Sequence, residues 1–109
     1  MNFRIIHLPV FENQLRRLLK KYPSVKNDVK ELADSLKLKP QQGVSIGRGC
    51  YKIRLRITSK GKGKSGGGRV ITNVLVYQKA VVLLSIYDKS ERQSISDNEL
   101  KKLIDQIII

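Results

Sequence analysis

Tyr51-Lys52-Ile53-Arg54-Leu55-Arg56-Ile57 alternates between apolar and basic side chains from Lys52 onward. A period of two marks a half-buried β-strand, because successive side chains leave opposite faces of the pleat. Ile53, Leu55 and Ile57 therefore face a core, and Lys52, Arg54 and Arg56 project together from the other face. Like charges along one strand face repel, so stability alone would favour mixed signs there. The stretch points to a sheet, and to one basic face on it.

Upstream of this strand the period is helical. Residues 3–8 are apolar and partly β-branched and read as a first strand, which Pro9 ends. From Phe11 the apolar positions are Phe11, Leu15, Leu18, Leu19 and Tyr22, one face of a helix. Tyr22-Pro23-Ser24 breaks the pattern, with Ser24 placed as an N-cap. Val25, Val29, Leu32, Ala33 and Leu36 form the inner face of a second helix, closed by Pro40-Gln41-Gln42-Gly43. Downstream, residues 69–77 and 81–87 read as two strands joined by a hairpin loop at Gln78-Lys79-Ala80. Ser96-Asp97-Asn98-Glu99 is a capping box that opens a last helix. Its apolar stripe is Leu100, Leu103, Ile104, Ile107 and Ile108. The order β-α-α-β-β-β-α predicts an α+β fold, with a helical hairpin and a C-terminal helix packed on a mostly antiparallel four-stranded sheet. At 109 residues the chain is expected to be one domain, residues 1–109.

The formal net charge is +13, and it is unevenly spread. Residues 1–42 hold nine basic and four acidic side chains, and residues 73–109 hold five of each. Residues 43–72 hold Arg48, Lys52, Arg54, Arg56, Lys60, Lys62, Lys64 and Arg69 and no acid. Such a block attracts phosphate chains, with an acidic protein as the next class of partner. One cysteine, Cys50, and one histidine, His7, exclude an internal disulfide and argue against a protein metal site. Cys50 reads as a buried structural thiol. No run approaches the ~18 apolar residues of a membrane span, so the expectation is a soluble, cytoplasmic protein with no membrane partner.

Residues 59–68 are glycine, lysine and serine. Gly63-Lys64-Ser65 matches the end of a phosphate-binding P-loop, but Thr58 stands where its first glycine should be and no helix pattern follows. The P-loop reading fails. Flanked by two well-patterned strands, the segment reads as an RNA-facing loop in preference to a flexible linker. Tyr87, at the end of the last strand, is equally an interface or a core aromatic on pattern alone. Lys89 and Arg92 are by the same standard ordinary surface residues.

These stretches resemble the RelE/HigB toxins of bacterial toxin–antitoxin systems. Residues 51–56 look like the RelE strand that carries basic residues. Gly61-Lys62-Gly63-Lys64-Ser65-Gly66-Gly67-Gly68-Arg69-Val70-Ile71 resembles the glycine-rich signature of the HigB-like branch. Leu83-Leu84-Ser85-Ile86-Tyr87-Asp88-Lys89-Ser90-Glu91 resembles its strand end. The resemblance implies an mRNA interferase that cleaves message in the ribosomal A site. The ribose 2′-hydroxyl attacks the adjacent phosphate without a metal or small-molecule cofactor, and an acidic cognate antitoxin neutralises the toxin. By motif match Arg69 holds the scissile phosphate, Tyr87 stacks on a base or orients the 2′-hydroxyl, Lys64 helps place the RNA backbone, and one of Lys52, Lys62, Lys64 or Lys89 serves as base. Lys52, Arg54, Arg56, Lys60, Lys62 and Arg92 place the RNA. The chain departs from the family pattern at Gly68, where an aromatic is common. It departs again at Ser90 and Ile95, nearest the places of a RelE arginine and tyrosine, and at Thr72 and Asn73. The competing readings are a non-catalytic basic RNA-binding module and a degenerate or gyrase-directed toxin of the same fold.

Overall fold

The structure, a computed structural model, describes residues 2–61 and 66–108. β1 (Arg4–His7) leads into α1 (Pro9–Lys21), then α2 (Val25–Leu38), β2 (Val44–Gly47) and β3 (Cys50–Leu55). A short 3₁₀ turn, Thr58–Lys60, precedes β4 (Gly68–Leu75), β5 (Ala80–Asp88) and α3 (Asp97–Asp105). The sheet runs β1-β5-β4-β3-β2. Every neighbouring pair is antiparallel except β1 with β5, where Arg4 lies opposite Ala80 and His7 opposite Leu83.

The α+β class holds, and the sheet has five strands instead of the expected four. The extra strand, β2, carries too little apolar signal to be read from sequence, since Val44 is 66% exposed. Backbone pairing onto β3 makes it a strand. Arg48 and Gly49, both at positive φ, turn the chain back in the manner of a tight two-residue hairpin. The β4–β5 turn likewise starts earlier than the spacing implied, because β4 ends at Leu75 and β5 begins at Ala80.

The two helical stripes pack as their spacing requires. Pro9 sits at the first helical positions of α1, where its missing N–H costs nothing. Phe11 and Leu18 of α1, and Val25, Val29 and Leu36 of α2, bury against Ile53, Leu55, Ile57, Val70, Val81 and Ile86 on one sheet face. α3 covers part of the opposite face, with Leu100 and Leu103 against Cys50, Ile71, Leu84 and Tyr87. Ser96 caps α3 by accepting the Glu99 N–H at 3.1 Å, as the capping box predicts. Ile108 lies past the helix end and is exposed, so the apolar stripe is shorter than read. Ser24 does not cap α2 through its side chain. Its hydroxyl instead donates to Asp28 at 2.9 Å and accepts the Ser59 N–H at 2.7 Å. Asp28 in turn accepts the Thr58 N–H and hydroxyl at 3.0 and 2.7 Å, fixing the 3₁₀ turn to α2.

Asp88, the last residue of β5, is fully buried on the α1 side of the sheet. Its carboxylate accepts from Lys60 Nζ at 2.5 Å, from the Ser90 N–H and hydroxyl at 2.9 Å each, and from the Tyr22 hydroxyl at 3.1 Å. Burial by itself would raise its pKa, but these donors override burial and hold it well down, at about 2. A carboxyl depressed in the folded state contributes stability that is complete above the unfolded value of ~4. That contribution is lost as pH falls through about 2. Acid unfolding followed by circular dichroism should therefore show a loss of about 2 kcal/mol between pH 4 and pH 2 that Asp88→Asn lacks. Removing the cation alone leaves a buried charge short of its partner, so Lys60→Met should cost about 3 kcal/mol in urea unfolding at pH 7.

Candidate functional site

Residues directly opposite in an antiparallel sheet share a face. Arg54 on β3 lies opposite Arg69 on β4, and Arg69 opposite Tyr87 on β5. The three side chains form one row across the sheet, on the face that carries α3. Lys52 precedes Arg54 on the same face, opposite Ile71. α3 packs on the end of this face around Cys50 and Ile71, and the row lies towards the other end. The structure thus brings together four of the residues read from the sequence: Lys52, Arg54, Arg69 and Tyr87. Arg56 is exposed one two-residue step beyond Arg54.

The row is costly. Two arginines face each other across neighbouring strands, and no acid among the described residues forms an ion pair with Arg54 or Arg56. Arg69 is only 5% exposed, with its Nη1 donating to the Gly68 carbonyl at 2.9 Å. Tyr87 is 6% exposed, and its hydroxyl has no hydrogen-bond partner among the described residues. An unsatisfied buried hydroxyl costs about 1–3 kcal/mol. Burial pushes the Tyr87 pKa up, with the charges of Arg92 and Arg69 pulling the other way. The phenol therefore stays protonated at neutral pH, a hydrogen-bond donor beside cationic groups.

Arg92 joins the row from the segment after β5. Its guanidinium lies 5.0 Å from the Tyr87 ring centroid. Glu99 accepts from it at 2.7 and 3.0 Å and the Ser94 carbonyl at 2.8 and 3.2 Å, so α3's first turn holds it there. Four of its five N–H donors are thus engaged inside the protein, and its guanidinium packs on the Tyr87 ring. Spacing gave no hint of this, because the pairing depends on where α3 docks.

Lys60 is turned away from the row. Its ammonium sits against Asp88 and 5.6 Å from the Tyr22 ring, on the α1 side of the sheet. Burial of the Lys60–Asp88 pair explains why a lysine in a basic run need not reach solvent. Lys89 is exposed, and its backbone N–H bonds the Gly67 carbonyl at 3.1 Å. Lys62 and Lys64 lie outside the described residues. The departure at Gly68 has a local cause: a Cβ there would come within 3.1 Å of the Tyr87 carbonyl and 3.3 Å of Ile57 Cδ1. Ile57 fills the space a larger residue at 68 would use. Cys50 is buried as read, and burial pushes its thiol pKa up.

No group of three His, Cys, Asp or Glu residues placed to hold a metal occurs among the described residues. No helix among them is long and apolar enough to cross a membrane.

No family model matches the chain. Similar solved structures include an E. coli toxin RelE variant with two arginines replaced by alanine, in the free state. It has 16% identity and a TM-score of 0.65, covering 99% of this chain and 100% of that one. The RelBE2 toxin–antitoxin complex of Mycobacterium tuberculosis has 16% identity and a TM-score of 0.60, covering 81% and 99%. The isolated E. coli RelE toxin has 16% identity and a TM-score of 0.59, covering 96% and 99%. At such identities the likeness is one of architecture, and it spans the helical hairpin, the sheet and the last helix alike. The chain has the α+β fold of the RelE toxins.

Proposed function

We propose that this chain is an mRNA interferase: a cytoplasmic toxin domain, residues 1–109, that cuts messenger RNA in the ribosomal A site and is neutralised by an acidic antitoxin. The observation that carries the reading is the Arg54–Arg69–Tyr87 row. Two arginines opposed across neighbouring strands, beside a buried phenol with no hydrogen-bond partner among the described residues, suit a phosphodiester, which brings negative charge and acceptors.

In this reading the phosphate of one linkage lies against Arg54 and Arg69. The 2′-oxygen of the preceding ribose forms a bond to phosphorus while the bond from phosphorus to the 5′-oxygen breaks. The 2′-hydroxyl proton passes to a base, for which Lys64 and Lys89 are the candidates. The departing 5′-oxygen takes up a proton. Arg69 stabilises the added charge on the phosphoryl oxygens, and its planar fork suits that task better than an ammonium. Protonated Tyr87 donates to a phosphoryl oxygen or to the leaving group. Lys52, Arg54 and Arg56 hold the chain on either side, and Lys62 contributes from the glycine-rich segment. A net charge of +13 makes an acidic antitoxin the complementary protein partner.

Induced expression in bacteria, with primer extension on an abundant message, tests the proposal. The wild type should arrest growth and leave new cuts inside translated codons. Arg69→Ala should abolish both at equal soluble level, and Arg69→Lys should recover little. A protein that shifts RNA without shortening it would replace the interferase with a binding module. Tyr87→Phe makes a sharper expectation. It removes only a hydroxyl that has no hydrogen-bond partner among the described residues, so melting temperature should hold or rise while the cleavage rate falls by roughly 10²-fold.

A further inference from the structure

Beyond the row, β5 has an open side. β1 pairs with it only as far as Leu83, so the segment from Leu84 to Asp88 has no strand neighbour on that side among the described residues. α1 covers this flank. Gln14 Oε1 accepts the Ile86 N–H at 2.9 Å and the Ser85 hydroxyl at 3.1 Å, which takes the place of a strand's hydrogen bonds. Between α1 and the strand end runs a groove of about 410 Å³, walled by Arg17 and Lys21 on one side and Tyr87, Glu91 and Arg92 on the other. Two of these residues, Tyr87 and Arg92, also belong to the candidate site, so groove and row meet.

The helix wall is strongly cationic. α1 carries Arg16, Arg17, Lys20 and Lys21 in its second half, against one acid, Glu12. Arg16 with Lys20 and Arg17 with Lys21 are i,i+4 pairs of like charge, which weaken a helix. Arg17 has no ion-pair partner among the described residues. Lys21 pairs with one acid among the described residues, Glu91, at 3.5 Å and with both side chains more than half exposed, and its ammonium lies 5.4 Å from the Tyr22 ring centroid; an entering phosphate can replace the Glu91 contact.

We infer that this groove is a second RNA subsite: Arg17 and Lys21 bind the phosphates of the substrate strand flanking the cut linkage. The strand leaves the row past Tyr87 and continues along α1. The inference rests on the interferase reading, and it makes the footprint on RNA longer than the basic strand alone. RNA is favoured over an acidic protein because the groove opens directly from the row, so a strand lying on Arg69 and Tyr87 is already at its mouth.

The test is fluorescence anisotropy with a twelve-nucleotide single-stranded RNA, 2′-O-methylated so that it cannot be cut, against a three-nucleotide RNA of the same kind. For Arg17→Ala/Lys21→Ala, affinity for the twelve-mer should fall roughly tenfold and the log–log salt slope should flatten by about 1.4, two contacts at ~0.7 each. Affinity for the three-mer should hold. Arg16→Ala/Lys20→Ala, the same charge change outside the groove, should alter twelve-mer binding by no more than about twofold. Equal losses in both double variants overturn the inference in favour of overall charge. A loss seen only on 70S ribosomes, or only against polyglutamate, overturns it in favour of ribosomal RNA or of an acidic protein. No binding of the twelve-mer by wild type also overturns it. Cleavage of ribosome-bound message by that same protein, assayed alongside, shows whether the interferase reading stands without it.

Discussion

The carboxylate of Asp88 is where the parts of this molecule meet. It closes β5, and its donors come from the end of α1, the 3₁₀ turn after β3 and the turn after β5. A buried ion is tolerated only when its lone pairs are filled, and here four donors fill them. The strand end that carries Tyr87 is thereby fixed to the helical layer behind it. Gly68, opposite Asp88 in the ladder, places the neighbouring Arg69 beside Tyr87. The row on the front of the sheet depends on the ion pair at its back.

This arrangement separates two uses of charge that the sequence runs together. Lys60 and Arg69 both belong to one uninterrupted basic block, yet one is spent on an internal pair and the other faces a second arginine. Arg92 is intermediate. Its charge is matched by Glu99, and what it offers the site is the position of the Tyr87 ring. In the proposed reading net charge draws RNA towards the surface, and these placements set which cations face it.

How much could be read in advance follows from how local each feature is. The helices were legible because Phe11, Leu18, Val25, Val29 and Leu36 repeat with the helical period and do form the core. The alternation at Ile53, Leu55 and Ile57 placed β3 the right way round. β2 was not legible, since it owes its existence to pairing and to two positive-φ residues, not to an apolar pattern. The row was legible as a set of residue types and not as a geometry. That Arg54, Arg69 and Tyr87 stand in register is a property of strand pairing across long sequence separations. The roles of Lys60 and Arg92 were invisible for the same reason, as each depends on an acid 28 or 7 residues away whose position the fold determines.

The parallel pairing of β1 with β5 has a consequence for the order of assembly. Arg4 cannot find Ala80, nor His7 find Leu83, until 76 further residues have been synthesised. Contacts between such distant segments are slow to form, and α1 and α2 must wait for the sheet before their inner faces are covered. Arg69 and Tyr87 likewise meet only once β5 has left the ribosome. A chain made only as far as β4 carries the basic strand but no row. The topology therefore delays completion of the row until β5 has been made and has paired with β4.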